Sequence, residues 1–170
     1  MKRPLTLGAA LLVAACATAP APVISLDGLP ATFAMSGRIA VRHGAEGEMA
    51  RLRWERGHQS DVWVLAPPVG GELARIEGGP GGLVVHRPGA APLAAASFSE
   101  LTENLLGAAL DERLLVAWLH RRPMAGPEGW EVTIDESQRL GGRDVARRIT
   151  ASRGETVVKL VVDGYEARPE

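Results

Sequence analysis

The chain has 170 residues, of which 46% are hydrophobic and 23% charged, proportions typical of one globular domain rather than a disordered or fibrous chain. Its formal net charge of −1 excludes the strongly basic balance that nucleic-acid-binding domains usually carry. A single cysteine excludes an internal disulfide, so the fold depends on the burial of apolar side chains.

The beginning of the sequence predicts a secretory signal followed by a lipid attachment site. Lys2 and Arg3 precede an apolar stretch over residues 5–13 that is too short to span a bilayer. Small residues then lead to Cys16, in a pattern that resembles the lipobox at which bacterial lipoproteins are cleaved and acylated. We therefore expect residues 1–15 to be a lipoprotein signal peptide and Cys16 to carry the lipid. The alternative is an ordinary secretory signal with an incidental cysteine.

The segment that follows predicts a tether and a destination. Residues 16–30 are rich in alanine and proline and show no periodicity, which indicates a flexible, lipidated N-terminus. Ala17 stands where an aspartate tends to retain bacterial lipoproteins in the inner membrane. The sorting pattern therefore implies a protein of the outer membrane, lipid-anchored and facing the periplasm. Residues 31–170 are expected to form a single domain.

Alternation of apolar and polar residues predicts antiparallel strands on both sides of the middle of the chain. The pattern has a period of two residues, and turns rich in glycine and proline separate the runs. It predicts strands over 33–42, 50–55, 61–65, 73–77, 83–87, 130–135, 144–150 and 156–163.

The middle of the chain predicts two short helices. Ser97 and Glu100 match a capping box at the start of the first helix. The second is expected over 111–120, with an apolar face formed by Leu114, Leu115, Trp118 and Leu119. Strands, helices and strands again indicate a mainly β fold with a helical insertion, in which a curved antiparallel sheet packs helices on its concave side.

Little in the sequence indicates catalysis. Neither a nucleotide-binding loop nor a hydrolase or metalloprotease motif is present, so we expect no enzyme activity, no metal and no cofactor. The four histidines are scattered and are expected to be solvated surface residues. Asp135 and Glu136, expected at a strand end, are a weakly supported candidate for a pair of catalytic carboxylates.

An apolar cavity is a second expectation from the periodic pattern. Six residues fall on apolar faces that should point into the space between sheet and helices: Leu52, Trp54, Leu115, Trp118, Trp130 and Leu160. The alternative is that each of them fills a dry core.

The loop over residues 67–71 predicts an exposed apolar tip. Two prolines stiffen the approach and two glycines permit a tight reversal, which leaves Val69 between Pro68 and Gly70. The alternative is a plain connection between strands with an incidental valine.

The residues of these segments, and their order, resemble the family of the outer-membrane lipoprotein receptor LolB. The similarity covers nearly the whole mature chain through 33–42, 52–54, 65–70, 105–107, Leu115, 118–119, Pro123, 129–130 and 158–163. The sequence departs from the family pattern at four positions: Val69 for leucine, Asp111 for proline, Arg121 for glycine and Tyr165 for tryptophan.

The resemblance implies both a fold and a function. The family's fold is a half-closed antiparallel β-barrel lidded by helices, and its members accept lipoproteins from the periplasmic carrier LolA and insert them into the outer membrane. By this resemblance, Val69 touches outer-membrane lipid during release. A triacylated lipoprotein carries on the order of 45 methylenes, and burying each of them away from water is worth about 0.8 kcal/mol. Its acyl chains therefore cannot cross the aqueous periplasm unshielded. The partners implied are LolA, cargo acyl chains and outer-membrane lipid, with the receptor acting as a monomer.

Two other functions compete with this interpretation. One is a related outer-membrane lipoprotein that senses lipid or binds a partner without transferring cargo. The other is a periplasmic hydrolase on an unusual scaffold, which would need a nucleophile and base that the sequence does not reveal.

Overall fold

In the computed structural model, the described residues are 24–106, 109–122 and 129–168, and they form one antiparallel sheet with two helices. In chain order, the strands and helices are β1 (Phe33–His43), β2 (Glu46–Arg56), β3 (Asp61–Ala66), β4 (Ala74–Gly79), β5 (Gly82–His86), β6 (Leu93–Ala95), α1 (Phe98–Leu106), α2 (Glu112–Leu119), β7 (Glu131–Leu140), β8 (Arg143–Arg153) and β9 (Thr156–Ala167). The nine strands are ordered β6-β5-β4-β3-β2-β1-β9-β8-β7.

One face of the sheet forms the core because the inward residues of neighbouring strands are in register. Met35 lies opposite Trp54, and Trp54 lies opposite Trp63, so large apolar side chains form a continuous row across the strands. Gly37 permits the close pairing of β1 with β9, since a Cβ at this position would lie 2.2 Å from the Val161 carbonyl oxygen. The register shift between Ser36 and Gly37 occurs at the same place.

The two helices cover the inward face of this sheet. Helix α2 buries Leu114, Val116, Ala117, Trp118 and Leu119, and it contacts β8, while α1 contacts β6. Strands β6 and β7 are the two ends of the strand order and do not pair with each other in the described part of the chain, so the sheet stays open. The mainly β fold, half-closed and lidded by a helical insertion, is confirmed.

Both predicted helix starts are confirmed by side-chain caps. The backbone N–H of Glu100 donates to Ser97 Oγ at 3.1 Å, and Glu100 Oε2 accepts from the N–H of Ala96 at 2.8 Å. The reciprocal bond of this capping box is therefore made one residue before the N-cap. In α2, Asp111 is the N-cap and its carboxylate accepts from the N–H of Arg113 at 2.7 Å.

Several strands differ from the sequence prediction, and β8 and β9 both run on beyond it, to Arg153 and Ala167. Strand β2 begins at Glu46 rather than at residue 50, and β7 runs on to Leu140, although charged residues interrupt the apolar alternation in both places. Backbone pairing in long hairpins holds these segments extended in spite of their polarity. Strand β6 was missed because three residues in a stretch rich in alanine and proline give no periodic signal.

The end of the expected tether packs against the domain. Ile24 is 4% exposed, and the Arg113 guanidinium donates to its carbonyl oxygen. Arg122 donates to two further carbonyl oxygens of this segment, at 3.0 and 2.8 Å. A flexible tether over 16–30 is therefore wrong for residues 24–30, because apolar burial and two arginines of the α2 region hold them in place. The expected signal peptide and Cys16 lie outside the described residues.

Helix α2 ends in a turn that would suit glycine. The N–H of Arg122 donates to the Ala117 carbonyl at 2.8 Å, and the N–H of Arg121 donates to the Trp118 carbonyl at 3.0 Å. These two bonds form a Schellman motif, whose residue after the C-cap adopts a left-handed conformation. Arg121 has a φ of 63° and is the sole non-glycine residue with positive φ in the described ranges.

We expect Arg121→Gly to raise the free energy of unfolding by about 0.5–1 kcal/mol. The left-handed conformation costs an L-residue about 1–2 kcal/mol, and the greater freedom of glycine in the unfolded chain offsets part of the gain. Urea unfolding measures the change. Arg121→Ala is the matched control, because it removes the guanidinium but keeps the Cβ. Equal stabilisation by both variants would contradict a conformational cause.

Candidate functional site: an apolar cavity

An apolar cavity of about 200 Å³ lies between the sheet and the two helices. Strands β1–β4, β8 and β9 form its floor, and α1 and α2 form its cover. Besides the residues discussed below, its lining includes Met35, Ile39, Val41, Ile76, Ile149 and Val158. Because nearly every lining side chain is apolar, the cavity is suited to hydrocarbon rather than to a polar ligand.

The structure brings five of the six expected cavity residues together around this space. Three of them, Leu52, Trp54 and Leu160, reach it from the sheet, while Leu115 and Trp118 reach it from α2.

Trp130 does not line the cavity. Its indole is 1% exposed and contacts Trp118 edge to face, with ring centroids 6.4 Å apart. Its Nε1 donates to the Ala109 carbonyl oxygen at 2.8 Å, and this bond holds the ring behind the cavity wall. The expectation that Trp130 points into the cavity is therefore corrected: it supports Trp118 from outside. Alternation placed this side chain inward correctly, but β7 is the last strand of the sheet order and none of its residues is among those that line the cavity.

The cavity opens at the end of the sheet that carries the loop over residues 67–71. Met49 and Leu73 line the cavity and are 56% and 50% exposed, so they mark its mouth. Val69 is 89% exposed at the tip of the loop that joins β3 to β4. The loop is held at its base by Arg51, whose Nε donates to the Pro67 carbonyl at 3.3 Å. The exposed tip and the cavity mouth thus share one rim.

Charged residues fasten α2 to the sheet at the opposite end. Trp54 Nε1 donates to Asp61 Oδ1 at 2.7 Å. Arg56 Nη1 lies 3.5 Å from Asp61 Oδ2 and 3.6 Å from Glu112 Oε1, which joins β2 and β3 to the first turn of α2. Burial raises the pKa of Asp61 and the pKa of Glu112, because loss of solvent disfavours the charged form of each carboxyl.

A polar cleft lies beyond this charged cluster. Its lining includes Arg56, Ser60, Asp61, Ser97 and Glu112. Phe98 lines both this cleft and the apolar cavity.

Acidification should stabilise the protein relative to Asp61→Asn. In the folded state the pKa of Asp61 is raised, so as the pH falls from 7 towards about 4 the folded protein takes up a proton before the unfolded chain does. The free energy of unfolding of the native protein should therefore rise, relative to that of the variant, over this window. Urea unfolding at several pH values measures the difference. The asparagine keeps an acceptor for Trp54 Nε1, so the variant changes the charge and not the hydrogen bond. If the free energy of unfolding of the native protein falls relative to that of Asp61→Asn as the pH is lowered, the prediction is wrong.

The two carboxylates considered for catalysis are each engaged with a side chain of β8. Asp135 and Glu136 lie within β7 rather than at its end. Thr150 Oγ1 donates to Asp135 at 2.7 Å, and Arg148 pairs with Glu136 at 2.6 Å. The expected strand end was wrong because pairing with β8 continues through a register shift at this point.

His120 differs from the solvated surface histidine expected from the sequence. Its Nδ1 donates to the Val116 carbonyl at 2.8 Å, and its Nε2 accepts from the Tyr165 hydroxyl at 2.8 Å. Burial lowers the pKa of His120 and raises the pKa of Tyr165 to about 12, so both groups are held neutral. They join the end of α2 to β9. Within the described ranges, histidines and acidic residues form no cluster of three or more that could hold a metal, and neither helix is long and apolar enough to span a membrane.

Comparison with known proteins identifies the family. The model of the family described as outer membrane lipoprotein LolB matches residues 31–165. The chain belongs to the LolB family. Among its relatives, the outer-membrane lipoprotein LolB of Cupriavidus pinatubonensis is 32% identical, with 96% of this chain and 94% of the relative covered. The LolB of Thiobacillus denitrificans is 28% identical, with 91% of each chain covered.

One solved structure agrees with the fold alone. A DUF1329 family protein from Desulfovibrio piger superposes with a TM-score of 0.51 at 7% identity, covering 82% of this chain and 87% of that one. Membership of the LolB family supports a role in lipoprotein localisation at the outer membrane. LolB is not known as an enzyme family.

The cavity contains residues that the sequence analysis missed. Trp63 and Leu65 line it from β3, and Phe98 lines it from the start of α1. The alternation of Asp61, Trp63 and Leu65 places these three side chains on one face, which was the available signal. Asp61 concealed it, because a buried aspartate in that row suggests the solvent face until its bond from Trp54 is seen.

Proposed function

We propose that this LolB protein accepts lipoproteins from the periplasmic carrier LolA and inserts them into the outer membrane, holding their acyl chains in the apolar cavity. The observation that carries the proposal is the apolar cavity whose mouth shares a rim with the exposed Val69. One site thereby offers shelter for hydrocarbon and an apolar contact for a membrane.

Transfer of this kind needs shelter rather than chemistry. Each buried methylene is worth about 0.8 kcal/mol, so acyl chains leave one apolar cavity only for another apolar environment. Leu52, Trp54, Leu115, Trp118 and Leu160 provide that contact, and Trp130 supports the wall from behind. Chains can then pass downhill from carrier to receptor to bilayer without a nucleotide.

The anchor and the loop have separate parts in this proposal. Cys16 carries the lipid that fixes the protein to the periplasmic face of the outer membrane. Val69, presented between Pro68 and Gly70, turns the cavity mouth towards the bilayer; burying one valine contributes only about 1.5 kcal/mol, too little to anchor a protein. Mass spectrometry of the mature N-terminus tests the anchor, and an unacylated Cys16 would refute it.

The decisive experiment scores acceptance and insertion separately. Purified mature protein is mixed with LolA loaded with a lipoprotein, the cargo bound to each protein is measured, and liposomes are then added. We expect the native protein to take cargo from LolA and deliver it to the liposomes. Leu115→Glu should reduce acceptance by about tenfold or more, because a carboxylate in the cavity disfavours hydrocarbon.

Leu93→Glu is the matched control for this experiment. Leu93 is a half-exposed leucine on β6 that does not line the cavity, so its variant should accept cargo normally. Equal effects of the two substitutions would refute the cavity as the binding site. Lipid binding without any delivery to liposomes would instead assign the protein to lipid sensing or partner binding.

A further inference from the structure

Residues 24–32, here called the strap, lie between the expected lipid attachment site and β1 and are tied to the domain at both ends. At the first end, Ile24 is buried in the core, and Leu26 and Leu29 pack against it. At the other end, Thr32 is buried and its hydroxyl donates to a backbone carbonyl just after β9 at 3.0 Å. The strap is therefore part of the folded domain.

Two arginines of the α2 region hold the backbone of the strap. The Arg113 guanidinium donates to the Ile24 carbonyl, and Arg122 donates to the carbonyls of Ser25 and Asp27 at 3.0 and 2.8 Å. Hydrogen bonds from charged donors are stronger than those between neutral groups. Because all three acceptors are backbone carbonyls, the two arginines fix the path of the chain itself and with it the position of Ile24 beside α2.

The strap lies at the end of the sheet opposite the cavity mouth. Arg56 pairs with Glu112 in the first turn of α2 at 3.6 Å, and it lies opposite Phe33, the residue of β1 that follows the strap. Arg51, which holds the base of the loop over residues 67–71 at the mouth, is five residues from Arg56 along β2. At about 3.3 Å per residue, the strap end and the base of the loop are about 17 Å apart along the strand.

The covalent length of the chain between the strap and Cys16 limits how far the two can separate. Cys16 precedes Ile24 by eight residues, and a chain of this length spans at most about 26–29 Å. If the strap were not docked, the count would run to Phe33, seventeen residues from Cys16, and the limit would be about 56–61 Å. Docking of the strap thus shortens the reach by about half, and the reach that is left still exceeds the distance to the loop.

We propose that the strap, through Arg113 and Arg122, positions the cavity mouth for insertion by setting how far the lipid anchor lets the domain stand from its own bilayer. This inference rests on the proposed function, in which Cys16 carries the lipid and Val69 contacts the membrane. The anchor and the mouth belong to opposite ends of the domain, so the chain from Cys16 must span the height between them when Val69 touches the bilayer. Eight residues are enough for that height and keep the mouth close to the membrane, which raises its effective concentration there. The two arginines act through the strap and are positioning residues.

The test shortens the chain between the anchor and the strap. Lipidated protein is reconstituted in liposomes of phosphatidylethanolamine and phosphatidylglycerol, loaded LolA is added, and acceptance and insertion into the same liposomes are scored separately. Deletion of residues 18–21 lowers the limit of the reach to about 13–14 Å, which is less than the height to be spanned. We expect the deletion to slow insertion by about tenfold or more and to leave acceptance unchanged. Replacement of residues 18–21 by a Gly-Ser-Gly-Ser segment keeps the length and should insert within about twofold of the native rate.

Release of the strap should cancel the effect of the deletion. Arg113→Ala and Arg122→Ala remove the three bonds to its backbone, and Ile24→Ser removes its buried side chain. In the shortened protein, these three substitutions together should restore insertion to within about threefold of the native rate, because the reach is then counted from nearer β1. Arg139→Ala is the matched control. It removes an arginine that donates to the Gly142 carbonyl in the turn between β7 and β8, and it should restore nothing.

A milder variant and a direct probe keep the test independent of stability. In the shortened protein, Arg122→Ala alone leaves the apolar contacts of the strap in place and should restore part of the insertion, and Arg122→Lys should restore less. The N–H of Leu29 donates to the Leu26 carbonyl at 3.0 Å, so amide hydrogen exchange at Leu29 reports on the strap. Exchange should be about tenfold faster or more in each variant that restores insertion, and restoration with unchanged exchange would overturn the inference.

The remaining outcomes separate this inference from the proposed function. Cys16→Ser removes the anchor, so in that form the deletion should not change the rate of insertion; a loss there too would show that the deletion does not act through the anchor and would overturn the inference. Insertion at the native rate by the shortened lipidated protein would overturn it as well, and so would a folded variant with a released strap that restores nothing. Failure of the native lipidated protein to accept or insert cargo would instead refute the proposed function.

Discussion

Val69→Glu should slow the insertion of lipoproteins into liposomes by about 10- to 100-fold. The substitution removes about 1.5 kcal/mol of apolar transfer energy and adds a carboxylate that resists entry into the bilayer. Val69 is 89% exposed, so the free energy of unfolding and the acceptance of cargo from LolA should not change. The two-step transfer assay measures acceptance and insertion in the same sample.

Two variants control for this result. Val84 is an exposed valine on the outer face of β5, away from the rim of the cavity. Val84→Glu should therefore insert cargo at the native rate. Val69→Leu should insert at least as fast as the native protein, since leucine buries more apolar area. Native insertion by Val69→Glu would show that the loop is only a connection between strands.

Trp130→Ala should lower the free energy of unfolding by about 3–5 kcal/mol. The indole is 1% exposed, contacts Trp118 and donates to the Ala109 carbonyl, so truncation leaves both a void and an unpaired carbonyl. Urea unfolding measures the loss, which is large enough to leave many domains partly unfolded at 37 °C.

Trp130→Phe separates the two contributions. It keeps a ring against Trp118 and removes only the donor, so its cost should be about 1–2 kcal/mol. If Trp130→Ala loses less than about 1 kcal/mol, the indole is not a supporting element of the wall. If the folded Trp130→Phe protein loses cargo binding selectively, Trp130 contacts cargo after all.

The sequence was most informative where one short pattern determines one local structure. Ser97 with Glu100 marked the start of α1, and alternation placed β1 correctly, because both signals depend on near neighbours. The polar ends of β2 and β7 escaped prediction since their extended form depends on pairing with partners elsewhere in the chain.

The candidate site was predicted in outline but not in its polar detail. Periodicity supplied the apolar residues of the wall, yet it could not separate Trp118, which lines the cavity, from Trp130, which stands behind it. The difference between Trp54, which has an acceptor, and Trp63, which has none, is equally hidden. It depends on Asp61, whose buried position only the assembled sheet reveals.

The ring of Phe98 is shared by the apolar cavity and the polar cleft. Phe98 is half-buried at the first position of α1 and lines both spaces. Phe98 is therefore part of the wall of a compartment for hydrocarbon and of the wall of a compartment lined by polar groups. Because one side chain belongs to both walls, a substitution of Phe98 would change the shape of the apolar cavity and of the polar cleft together.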